Sequence, residues 1–329
     1  MKTNTADRHF LRTIRSNQVK NILGSEKVSL LGALVVMVVI FSALSPNFFT
    51  PKNFMNILIA ATLVGLVAVG ESFLVIAGQV DLSPGSVAAF CGVLTSMLLA
   101  QGYGTFLTLL IVIIIGLMIG YLNSLAVNGL NIEPFIATLA SMSVFRGLAY
   151  ILCDGKPVFI QDQAFLKLGV GRILGIPIPV VILLLTFLVF GIILAKTRFG
   201  RNIYIVGGNP VAARLAGINS KSVKAKLYMI NAGLAALGGA ILASRMNSGQ
   251  PSASNGLEFD AITAAILGGI AFTGGIGTLT GTLIGVFILQ GFNNGLLLLN
   301  VQSFWQYVAR GLLLIVALSF DYFRSKNRK

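Results

Sequence analysis

The chain has 329 residues, of which 56% are hydrophobic and only 10% are charged, with a formal net charge of +14; its mean hydropathy is +0.89. Soluble domains carry roughly a quarter of their residues as charges, so a water-soluble fold is excluded, and the apolar runs between Val28 and Phe320 leave no stretch for a soluble domain. In a soluble chain such positive charge is a nucleic-acid signature, but here the Lys and Arg residues cluster beside apolar spans, where they set membrane orientation.

Residues 1–27 form a basic tail with Arg8, Arg12, Arg15 and Lys20. The apolar run that follows lacks a small-residue cleavage site, so it is expected to stay as a first helix. Hydrophobic runs of bilayer length, about 20 residues, then place helices near 28–45, 53–78, 84–101, 104–127, 134–153, 177–195, 226–246, 258–275, 277–298 and 303–320. The expected fold is therefore all-α: a polytopic membrane protein of about ten transmembrane helices occupying residues 28–320. An even count puts both termini on one side, together with the basic loop 196–226 and the basic tail 321–329. By the positive-inside rule that side is the cytoplasm, which then holds 17 Lys and Arg residues against four outside.

The second segment and its exit read "ESFLVIAGQVDLSPGSVAAF". Glu71 lies inside an apolar run that Gly78, Asp81, Ser83, Pro84 and Gly85 then interrupt. Ser83 followed by Pro84 signals a helix start, because Pro at the first helical position loses no hydrogen bond. Broken backbone at membrane depth survives only where protein or a water-filled cavity covers it; this segment either lines a pathway or forms an interfacial turn. Cys91 and Cys153 fall in or at the end of spans and form no disulfide framework.

The next polar interruption is "GGNPVAARLAGINSKSVKAKLY", residues 207–228. Asn209 is a good N-cap, Pro210 suits the first helical position and Gly217 suits a C′ position, which predicts a two-turn helix over Val211–Ala216. Val211 and Leu215 share one face. A helix this short is marginal in water, so either lipid phosphates beside Lys221, Lys224 and Lys226 or a groove on a cytoplasmic partner must hold it.

Intramembrane ionisable groups are functional candidates by default. Glu71, Asp81 and Ser83, with the amides Asn293 and Asn294 of "GFNNGLLLL", are candidates for a polar translocation path. Arg146, Arg245, Glu258, Asp260 and Arg310 belong to the outer half in the ten-helix arrangement, either as internal ion pairs or as a docking surface for an external partner. Gly116 with Gly120, and Gly277, Gly281 and Gly285, have the spacing of small-residue helix packing. No P-loop sequence occurs, and the single histidine, His9, has no metal-ligand spacing around it. The chain is expected to catalyse no covalent chemistry and to bind no cofactor itself.

Six stretches, "LSPNFFTPKNFMNIL", "VDLSPGS", "PFIATLASMSVFRGL", "GRNIYIVGGNPVAARLAGIN", "GLEFDAITAAILGG" and "GFNNGLLLLNVQSFWQ", resemble in order those of the inner-membrane permease subunits of ribose, xylose and galactose-type ABC importers. The resemblance spans nearly the whole chain. It implies that Asn209, Ala212, Ala213, Arg214, Leu215, Ala216, Gly217, Ile218 and Asn219 form a cytoplasmic coupling element seated in a cleft of an ATP-hydrolysing subunit, which favours the partner groove over the lipid surface. It further implies a second permease subunit, Mg-ATP bound only by the ATPase partners, an external sugar-binding protein, a bacterial inner-membrane location and a monosaccharide cargo, with ribose or another pentose ahead of hexoses and a furanosyl autoinducer. Gln79 and Pro84 depart from the family pattern, in which Gly and Val are common. The competing readings are an ion-coupled secondary transporter using Glu71, Asp81 or Asp260, and a channel or membrane scaffold.

Overall fold

A computed structural model describes residues 26–326. It contains thirteen α-helices among the described residues: α1 (Glu26–Leu44), α2 (Pro51–Ile76), α3 (Pro84–Ala100), α4 (Thr105–Ser124), α5 (Pro134–Leu152), α6 (Gln163–Val170), α7 (Ile178–Lys196), α8 (Arg198–Gly208), α9 (Pro210–Leu215), α10 (Ser220–Met246), α11 (Leu257–Leu267), α12 (Leu279–Leu298) and α13 (Ser303–Lys326). Four two-residue strands form two small antiparallel pairs, β1 (Val158–Phe159) with β4 (Ser248–Gly249), and β2 (Arg172–Ile173) with β3 (Ile176–Pro177). The chain is an all-α polytopic membrane protein, with six helices long and apolar enough to span a bilayer and three shorter apolar ones. The tails that carry the terminal basic clusters lie outside the described residues, apart from the backbone of the end of α13.

α2 and α10 make the centre of the bundle, and most of their apolar length is covered by protein. Small residues permit the close packing. A Cβ on Gly116 of α4 would come within 2.8 Å of the Ala232 carbonyl of α10, and one on Gly120 within 2.6 Å of the Met229 Cα. Gly285 packs in the same way on the end of α11, where an added Cβ would lie 2.8 Å from the Gly268 nitrogen. Helix backbones in lipid approach closely only where side chains are small. α7, almost wholly aliphatic, shows its Leu and Ile side chains on the outside of the bundle.

Two expectations need correction. The segment 258–275 is not one span: α11 stops at Leu267 after 11 residues, about 17 Å of helix. Gly268 and Gly269 close it, and Gly269, Gly274, Gly275 and Gly277 all adopt positive φ, a conformation that ends a helix at no steric cost for glycine. Gly277 therefore belongs to this turn, while Gly281 and Gly285 are on α12. Nor is 196–226 a loop. Thr197 caps α8 by accepting from the Gly200 N–H, and α10 begins at Ser220, six residues before the expected start, because the Asn219 side chain accepts from the Ser222 N–H.

α3 and α11 begin close together and run to opposite ends of the bundle. A Cβ on Gly85, in the first turn of α3, would lie 2.6 Å from the Ser254 carbonyl just before α11. From there α3 rises past Gly239 and Gly249 toward the β1–β4 pair, the hairpin end, whereas α11 descends to Gly281 at the start of α12. The descending end also holds α8 and α9 with Arg198, Arg201 and Arg214, the basic end. Two short helices that begin side by side and run in opposite directions leave interrupted backbone that is tolerated because protein surrounds it.

Candidate coupling site and broken-helix centre

At the basic end, α9 has the predicted build. The Asn209 side chain accepts from the Ala212 N–H at 2.9 Å, Pro210 opens the helix, and Gly217 at φ 72° ends it. The Gly217 N–H donates to the Arg214 carbonyl and the Ile218 N–H to the Ala213 carbonyl, both at 3.0 Å. Ala213 faces inward and is fully buried, while Val211 is 59% and Leu215 83% exposed. Ala212, Arg214, Ala216 and Gly217 are exposed as well. Two large apolar side chains on one face of a six-residue helix have no cover among the described residues.

Behind α9 lies a joint that sequence reading did not identify. α8 buries Ile203 and Val206, and its Gly207 sits so close that any Cβ there would collide with the Ile76 carbonyl at the end of α2. The same carbonyl accepts the Gly275 N–H at 2.7 Å. A Cβ on Gly274 would lie 2.9 Å from the Gly207 carbonyl, and the Tyr204 hydroxyl donates to the Gly277 carbonyl at 2.8 Å. The glycine turn after α11, the end of α2 and the helix that carries α9 are thus keyed backbone to backbone. The glycine pairs at 207–208, 268–269 and 274–275 were the available signal; their partners in space were not legible.

Midway along the bundle, Glu71, Asp81 and Ser83 come together as one fully buried group. The Asp81 Oδ1 accepts the Ser83 N–H at 2.8 Å and the Ser83 hydroxyl at 2.7 Å. Asp81 rather than Ser83 therefore organises the start of α3, and the Ser83 side chain makes no cap bond. Asn231 of α10 donates to Glu71 Oε1 at 2.7 Å and to Asp81 Oδ2 at 3.3 Å, and Asn123 of α4 donates to the Ser83 hydroxyl at 2.9 Å. Asn231 and Asn123 were missed because an isolated Asn in an apolar helix does not announce its partner. Burial of two carboxyl groups is costly unless donors meet them; Asn231 donates to both and Asn123 holds the Ser83 hydroxyl that donates to Asp81, while Glu71 Oε2 has no hydrogen-bond partner among the described residues.

Asn293 and Asn294 lie elsewhere, on α12. Asn294 exchanges paired amide bonds with Asn53 of α2 at 2.8 and 2.9 Å, beside the Phe41 and Phe292 rings that bring α1 against α12. The five hairpin-side charges divide. Arg310 and Asp260 form an ion pair at 3.6 Å. Arg146 donates to the Pro251 and Ala253 carbonyls at 2.7 Å each, holding the segment before α11. Glu258 is buried beside Gly85, and Arg245 is exposed near the end of α10. No group of His, Cys, Asp and Glu suited to a metal occurs among the described residues.

Residues 53–318 match the family model described as "Branched-chain amino acid transport system / permease component". The L-arabinose ABC transporter permease protein AraH of Azospirillum brasilense is 39% identical over 301 residues, covering 91% of this chain and 89% of its own. The ribose import permease protein RbsC of Bacillus subtilis is 40% identical over 290 residues, covering 88% and 90%. The L-arabinose transport system permease protein AraH of Escherichia coli is 39% identical over 301 residues, covering 91% and 92%. No solved structure matches the chain. A model covering most of the sequence, and relatives aligned along nearly their whole length, establish that the chain belongs to this family of transport-system permease components.

Proposed function

We propose that this chain is the membrane permease subunit of an ABC importer for a monosaccharide, most simply a pentose such as ribose or arabinose. The relatives' names supply the cargo class. The observation that carries the coupling role is α9: a capped two-turn helix that presents bare Val211 and Leu215 outward while its buried back rests on α8. On this reading the basic end is cytoplasmic, α9 docks in a groove of an ATPase that binds Mg-ATP, a second permease subunit completes the route, and an external sugar-binding protein delivers cargo at the hairpin end.

Motion of α9 passes through the glycine joint to Ile76, and so to the break between α2 and α3. Glu71, Asp81 and Ser83 serve there as the frame of the broken segment. Arg146 steadies the partner break before α11, and the exposed Arg245 is the hairpin-end charge available to a docking protein.

Reconstitution in liposomes, with and without a separate ATPase and a sugar-binding protein, tests the reading. The expected result is accumulation of pentose against its gradient only with ATP and both partners. Uptake that persists without an ATPase and collapses with an uncoupler would replace it with the ion-coupled reading. Gly217→Pro forces φ to about −65° where the chain needs 72°, so it should leave ATP hydrolysis uncoupled from uptake.

A further inference from the structure

Between the break after α2 and the coupling segment lies an open cavity of about 460 Å³, within the range of about 300–1,000 Å³ typical of small-molecule sites. Three elements wall it. One is the turn at Gly78 and Gln79; a second is the end of α4 with the loop to α5, bearing Asn128, Asn131 and Glu133; the third is the first turns of α10, with Lys221 and Lys224. Its surface is mostly polar, unlike the apolar grooves elsewhere on the bundle.

The walls are built rather than incidental. α4 ends in a π-turn over Leu125–Gly129, a rare conformation often found at functional sites. The Leu130 N–H returns to the Leu125 carbonyl and the Ile132 N–H to the Ala126 carbonyl, which presents Asn131 at φ 54°. Asn128 crosses to α10, donating to the Ser124 hydroxyl and the Lys221 carbonyl. Gln79 accepts from the Tyr228 hydroxyl of α10.

A second observation points to this place independently. α5 begins at Pro134 on the cavity rim and is the least covered of the six candidate spans, with 17% of its apolar window buried. Beside exposed Phe135, Leu139, Val144, Leu148 and Ile151, the small and hydroxyl-bearing residues Ala140, Ser143, Gly147 and Tyr150 form an exposed stripe at helical spacing, and Gly147 has open space beside it. The exposed positions of α7 are by contrast aliphatic. A strip of small and hydroxyl-bearing residues on this face thus leads to the polar cavity.

We infer that the cavity bounded by Gln79, Asn128, Asn131, Glu133 and Lys224 is the inner exit vestibule of the route, taking a neutral polyhydroxylated ligand. This rests on the import reading above. Carboxamides both donate and accept, as sugar hydroxyls do; a Glu acceptor opposite Lys donors completes the pairing without a purely cationic site. Few and adjustable hydrogen bonds suit a place from which cargo must leave. Lys221 also lines the groove beside α9, so displacement of the coupling segment moves a wall of the vestibule.

The test uses the reconstituted complex with ATPase and binding protein, carrying Asn131→Cys in a Cys153→Ser background; Cys91 is buried. A charged, membrane-impermeant thiol reagent applied from the ATPase side should lower ribose uptake about tenfold, the loss expected for a blocked obligatory route rather than a lost surface contact. Ribose during turnover should slow the labelling, inorganic phosphate should not, and the ATPase should remain bound. In parallel, Asn131→Gly keeps the backbone conformation and removes the amide; sugar moved per ATP should fall about fivefold, as for one lost hydrogen bond.

Labelling without effect on uptake would overturn the site, and so would protection by phosphate alone or release of the ATPase on labelling. Wild-type complex that moves no ribose or arabinose would instead refute the import reading. Active wild type with an unaffected Asn131→Gly variant would refute only the vestibule.

Discussion

The broken-helix centre and the coupling segment are joined by one chain of contacts yet are built on opposite terms. At the centre, Glu71, Asp81, Ser83 and Asn231 are fully buried and joined by bonds from Asn231 to both carboxyl groups and from Ser83 to Asp81. In α9, Leu215 is 83% exposed and the stabilising bonds are local caps. A buried polar group that loses a partner is heavily penalised, whereas an exposed side chain can change at little cost to folding. On the proposed reading the centre holds a shape, α9 is gripped by the ATPase, and the glycine joint at Gly207 and Gly275 relays between them.

The sharpest way to break this contrast is Asn231→Leu. It leaves two buried carboxyl groups without that donor and should lower stability by about 1–3 kcal/mol, the scale for buried polar groups left unsatisfied; thermal unfolding of the purified permease measures it. An unchanged unfolding temperature would mean the centre is not a locked frame. Leu215→Glu should behave in the opposite way. Its unfolding should stay within about 0.5 kcal/mol of wild type, while ATPase co-purification and uptake fall about tenfold, equivalent to about 1.4 kcal/mol of docking energy. A destabilised protein with normal docking would reverse the roles given to the two regions.

Smaller effects sharpen the picture. The Asn53–Asn294 pair should show a coupling energy of about 1 kcal/mol in a double-mutant cycle with Leu at both positions. A value near zero would mean that the paired amides do not fasten α2 to α12. Tyr204→Phe removes only the bond to the Gly277 carbonyl, worth about 0.5–1 kcal/mol. Sugar moved per ATP should drop up to about fivefold, with unfolding nearly unchanged. If transport and stability fell together, Tyr204 would be holding the fold rather than relaying motion.

Much of this was present in the residues. Composition excluded a soluble fold, apolar length placed the helices, and the Asn209–Pro210–Gly217 spacing placed α9, because caps and turn conformations are local and depend on the residues that make them. The Ser83–Pro84 break was legible for the same reason. Where a local signal was ambiguous, the reading slipped. The run at 258–275 looked long enough to span, but its glycines terminate α11 at Leu267. The hydrophilic stretch at 198–208 looked like a loop, yet it folds as an amphipathic helix against its neighbours.

Residue pattern alone was enough for the class of molecule, the positions of most long helices and the capped form of α9, since hydropathy, helix propensity and capping act within a few residues. Packing of the whole bundle was needed to show which distant groups meet: Asn231 with Glu71 and Asp81 across 160 and 150 residues, Asn53 with Asn294 across 241, and Gly275 with Ile76. An amide or a glycine in an apolar helix has the same local signature whether it packs, pairs or relays motion. Its partner is fixed by the depth and rotation of helices whose packing is set by the whole bundle.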